Sequence, residues 1–82
     1  MTLHLNSYGL NQKGFRLVAS YVSYEKGRRA LNIECYSNGT EYLIRTWFTG
    51  KSAWDNIYTD KNVANKRINE LIHTYSCYKR LV

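Results

Sequence analysis

Few residues in this chain have the type and spacing that chemistry requires. Phe48-Thr49-Gly50-Lys51-Ser52 carries the Gly-Lys-Ser of a phosphate-binding loop, after a strand-like run and before a segment that can begin a helix. The full loop needs an earlier glycine, so that successive backbone N–H groups can cradle a phosphate, and that position is Arg45. The better reading is an ordinary strand-to-helix turn with Lys51 at its mouth. His73 and Cys77 are spaced so that one helix would present both from one side. A tetrahedral zinc site would need two more ligands, and His4 and Cys35 are the only other histidine and cysteine. No spacing joins a nucleophile to a histidine base and an orienting acid. The expectation is no enzyme, no cofactor and no metal.

Lys13-Gly14-Phe15-Arg16-Leu17-Val18 begins like the base-stacking motif of RNA-recognition domains, but it lacks the later aromatics. Those domains also carry a helix between their first two strands, where this chain has two strand-like runs in succession. Asn38-Gly39-Thr40 matches a glycosylation sequon and reads instead as a turn.

Composition narrows the classes further. Eighty-two residues make one domain, 1–82, whose small core leaves little stability to spare. Hydrophobic residues at 44% and charged residues at 22% argue for a folded globule. Two cysteines do not make a disulfide framework, and no apolar run is long enough to cross a membrane. Met1 to Phe15 shows no basic start followed by an apolar stretch, so a cytoplasmic location is expected. Twelve Lys and Arg against six Asp and Glu give +6, which favours an acidic partner.

The elements that position these residues follow from pattern. Asn38-Gly39 between two alternating runs predicts a two-residue hairpin, pairing Cys35 with Tyr42, Ile33 with Ile44 and Leu31 with Thr46. A three-residue turn at Glu25-Lys26-Gly27 predicts a preceding strand whose Leu17, Ala19 and Tyr21 oppose Cys35, Ile33 and Leu31. From Ala64 the apolar positions Ile68, Leu71, Tyr75, Tyr78 and Val82 recur at helical spacing, with Thr59 or Asp60 as cap. Ser52-Ala53-Trp54-Asp55 fits the start of a short helical turn, and Thr2 to Tyr8 a fourth, edge strand. The expected fold is α+β: an antiparallel meander of three or four strands with one C-terminal helix packed across one face. Its expected core is Phe15, Leu17, Ile33, Ile44, Ile68, Leu71 and Tyr75.

One helix covers one face, so the other needs an explanation. In this register it carries Val18, Val22, Leu43 and Trp47, with Trp47 across from Ala30, ringed by Arg16, Arg45, Tyr36, Tyr24 and Arg28. Either the N-terminal strand or Lys51 to Tyr58 folds over it, or it docks onto another chain, since Trp, Tyr and Arg anchor interfaces. The expected function is a small non-enzymatic regulator or inhibitor that docks on a larger protein with an acidic or apolar surface. A second copy of the chain is a further candidate partner. The alternative is a nucleic-acid-binding module, with bases stacked on the aromatics and Lys26, Arg28 and Arg29 tracking phosphate. Abundant Tyr and Asn without proline give the composition of a small phage or mobile-element protein.

Overall fold

The computed structural model describes residues 7–23 and 30–79. Chain order runs through α1 (Ser7–Gln12), β1 (Arg16–Val22), β2 (Leu31–Ser37), β3 (Tyr42–Phe48), β4 (Trp54–Tyr58), α2 (Lys61–Tyr75) and β5 (Tyr78–Lys79). The strands form one five-stranded sheet in the order β4-β3-β2-β1-β5, antiparallel throughout, and α2 packs on it against β3 and β4. The α+β meander with a C-terminal helix is therefore the fold, with five strands where three or four were expected.

The β2–β3 hairpin forms one residue later than Asn-Gly predicts. Asn38 Oδ1 accepts from the backbone N–H groups of Thr40 (3.0 Å) and Glu41 (2.7 Å) and so does the work of a main-chain carbonyl. The turn centres on Gly39-Thr40, with Gly39 at φ 94° in its first central position, the place where a type II′ turn requires glycine. Pairing slides by two residues, so Cys35 faces Ile44, Ile33 faces Thr46 and Leu31 faces Phe48. An even slip keeps every side chain on its expected face.

On β1 the correction is larger. Tyr21 pairs with Ile33 and Ala19 with Cys35, but the register shifts between Leu17 and Ala19, leaving Val18 as an extra residue. Beyond this bulge the faces reverse. Leu17 lies across from Tyr36, away from the helix, instead of opposing Cys35. Phe15 is buried on that same outer side against Leu10 of α1 and Leu43, not in the core beneath α2. The expected turn at Glu25 to Gly27 lies outside the described residues.

Two local helix signals lose to tertiary pairing. Ser52 to Asp55 does not start a helical turn. Trp54 and Asp55 enter β4, where Asp55 pairs with Arg45 and Trp54 with Thr46. At the chain start, Ser7–Gln12 is helix α1 and not part of an edge strand, and Thr2 to Asn6 lie outside the described residues. Helix α2 begins as expected, with Asp60 Oδ1 accepting from the N–H groups of Asn62 (2.8 Å) and Val63 (3.3 Å). It stops at Tyr75 because Ser76 takes the left-handed conformation, φ 52°, so it does not run on to Val82. Tyr78, expected on the apolar stripe, is 65% exposed in β5, which pairs with Tyr21 and Val22.

The main core lies between sheet and α2: Leu31, Ile33, Cys35, Ile44 and Leu71 are buried, with Ile68, Tyr75, Trp54 and Phe48 packed against them. A smaller cluster under α1 holds Leu10, Phe15 and Leu43, flanked by Tyr36 and Ile57.

Candidate binding surfaces

The outer sheet face divides into three zones. At one end Leu43 is fully buried under Leu10 and Phe15, so it is not a contact residue. Across the middle runs a polar row in strand register, Ser20, Glu34, Arg45 and Asp55. Arg45 grips Asp55 with two bonds, Nε to Oδ1 at 2.8 Å and Nη2 to Oδ2 at 2.9 Å, and Asp55 is 0% exposed. This ion pair holds the guanidinium more firmly protonated than usual. The Tyr36 hydroxyl donates to Glu34 Oε1 at 2.9 Å, and the Arg45 guanidinium lies 5.8 Å from the centre of the Tyr36 ring. Burial first, then that bond to Glu34, push the Tyr36 phenol up to about 12.

At the far end, Trp47 is half-buried and stands across from Asn32, not Ala30. Asn32 is itself buried and donates to the carbonyls of Ala30 (3.3 Å) and Trp47 (3.4 Å) and to Thr49 Oγ1 (3.0 Å). Trp47, Arg45 and Tyr36 thus share the outer face, but its central cation has its counter-charge, and Trp47 joins the hydrogen bonding through its backbone carbonyl. Arg16 and Val18 are not with them. The bulge turns both toward the helix side, where Arg16 stands across from Ser37. Tyr24 and Arg28 lie outside the described residues.

What the pattern alone missed is a cleft of about 300 Å³ between the first turns of α2 and the sheet. Cys35, Ile44, Ala64 and Ile68 form its floor, and Val18, 62% exposed, forms one lip. Tyr36, Ser37, Tyr42, Leu43, Lys61 and Asn65 also line it. Burial pushes the Cys35 thiol up to about 11, so this floor is uncharged at neutral pH. On its outward side α2 presents Asn62, Lys66, Asn69 and His73 as one exposed stripe along a shallow groove. The helix itself was legible in the sequence. The cleft was not, because nothing local marks the bulge at Val18.

The other motifs take ordinary places. Lys51 is exposed in a turn where its N–H donates to Phe48 O at 2.8 Å, and a strand follows instead of a helix. His73 is exposed on α2, while Cys77 lies half-buried beyond the helix end against the main core. Among the described residues, no group of three or more His, Cys, Asp or Glu is placed to hold a metal ion, and no helix is long and apolar enough to cross a membrane.

No family model, curated protein or solved structure matches this chain.

Proposed function

We propose that the protein is a small non-enzymatic binding module that docks on a larger protein as a regulator or inhibitor. The observation that carries this reading is one end of the domain, where an exposed valine, Val18, borders an apolar cleft beside the exposed cations Arg16 and Lys61. Apolar contact with a charged surround is how protein interfaces are built, and a phosphate backbone has no use for an aliphatic floor. The outer sheet face supports the reading less, because Arg45 is already paired and Leu43 already covered. Affinity capture from the native cell tests it, run with and without nuclease and in parallel with Arg16→Glu and Lys61→Glu. The expected result is a nuclease-resistant protein partner lost by both variants.

A second reading has its own observation. Asparagine is a poor helix former, yet Asn62, Asn65 and Asn69 occupy exposed positions of α2 around Lys66. Asparagine reads adenine edges in the major groove, and lysine neutralises phosphate. If nucleic acid is the partner, capture disappears with nuclease and binding falls steeply between about 50 and 200 mM salt. Asn62→Ala with Asn69→Ala then weakens binding while stabilising α2.

A further inference from the structure

Resting on the protein-docking reading, we infer that the cleft beneath the first turns of α2 receives a short acidic segment of the partner, with one aliphatic side chain among Val18, Ile44, Ala64 and Ile68 and carboxylates reaching Arg16 and Lys61. Size sets the first limit. A volume of about 300 Å³ is at the bottom of the range of ligand pockets. It has room for a side chain but not for a helix, about 10 Å across.

Chemistry sets the second. Val18, Leu43, Ile44, Ala64 and Ile68 give the lining its aliphatic surface, and the Cys35 thiol among them stays protonated at neutral pH, so the inserted group is apolar. Of the two cations, Lys61 lines the cleft from the helix, and Arg16 stands on the adjoining strand across from Ser37, which lines it too. Neither has an ion-pair partner among the described residues. Two acids lie next to lining residues in sequence, and their hydrogen bonds go elsewhere: Asp60 caps α2, and Glu41 Oε1 accepts from Asn38 Nδ2 at 3.4 Å. A segment with carboxylates on both sides of an aliphatic residue complements this arrangement, while a basic or purely polar one does not.

An NMR titration of the full ¹⁵N-labelled chain tests the inference. The probe is the capped peptide acetyl-Asp-Glu-Leu-Asp-Glu-amide, beside one control with serine for leucine and another with lysine at every acid. The expected result is shift changes at Val18, Ser37, Ala64, Asn65 and Ile68, with affinity at least about tenfold lower for either control. Val18→Asp and Lys61→Glu, both at exposed positions, should each lower affinity for the acidic peptide by a similar factor. No shift at millimolar peptide overturns the inference, and so does equal binding of either control. If the peptide fails while Lys61→Glu still loses the captured protein, this occupant is wrong and protein docking stands. Capture abolished by nuclease overturns both.

Discussion

On the helix side of the sheet, Leu31, Ile33, Cys35 and Ile44 meet Leu71 through apolar contact alone, whereas the middle of the outer side is held by Arg45 gripping Asp55 and Tyr36 bonded to Glu34. The first kind of cohesion scales with buried area and is indifferent to which apolar residue faces which. The second depends on named partners at fixed distances. A two-residue slip of the β2–β3 hairpin therefore leaves the helix side unharmed, since the same side chains stay on that face and Leu31 and Cys35 meet Phe48 and Ile44. On the outer side the pairing is specific: Glu34, Arg45 and Asp55 fall in one row, so the charge that made this face look basic is answered within the fold.

The sharpest test of this contrast is Asp55→Ala. It strands a largely buried guanidinium and should cost about 3–5 kcal/mol in urea denaturation, while replacing both partners by Met and Leu should recover most of that loss. A cost below about 1 kcal/mol would mean that the outer face is also held by area. Ile33→Ala, on the helix side, should cost about 2–4 kcal/mol through lost transfer energy and a residual cavity. Trp47→Ala follows at about 2 kcal/mol, below a fully buried tryptophan because its ring is half-exposed.

Alkaline pH sharpens the comparison from another direction. Cys35 goes from the ordinary 9.0 to about 11 and Tyr36 from 10.0 to about 12 on folding. Both folded values are raised, so the stabilisation is complete below the unfolded values and is lost as pH rises through the folded ones. Melting temperature should fall from about pH 9 onward as Cys35 contributes, and from about pH 10 as Tyr36 joins. Tyr36→Phe should flatten only the upper part, in melts and in the ultraviolet titration of phenolate. The smallest effect belongs to Val18→Ser, which should stay within about 0.5 kcal/mol because this side chain is mostly solvated.

Much of the fold was legible, and the reasons differ by element. Strand alternation placed Ile33, Cys35 and Ile44 on one face, and helical spacing placed Ile68, Leu71 and Tyr75 opposite them, because these periods follow from backbone geometry. The cap at Asp60 was legible because a carboxylate one residue before a helix satisfies its free N–H groups. Positions set by distant partners were not legible. Ser52 to Asp55 carries a local helix signal, and the strand forms because Arg45 stands one strand away. Phe15 and Leu17 lie on the side opposite to the one alternation predicts because the bulge at Val18 reverses it, and a bulge has no signature in residue type here. Of the expected contact residues, Trp47, Arg45 and Tyr36 did fall together. The counter-charges that close that face needed β4, which local pattern hid.

The pairing of β5 with β1 carries a consequence for how the molecule assembles and opens. Tyr78 and Lys79 meet Val22 and Tyr21 across most of the length of the described chain, while β2, β3 and β4 each pair with a neighbour in sequence. Closing the long loop costs more entropy, and its reward is a two-residue ladder whose β5 side chains, Tyr78 and Lys79, are exposed. The meander should therefore form first and β5 last, with the slow step of folding already behind it. In the native state the order reverses. The amides at the β1–β5 seam should exchange with solvent through a local opening, while those of β2 and β3 wait for the whole domain to unfold.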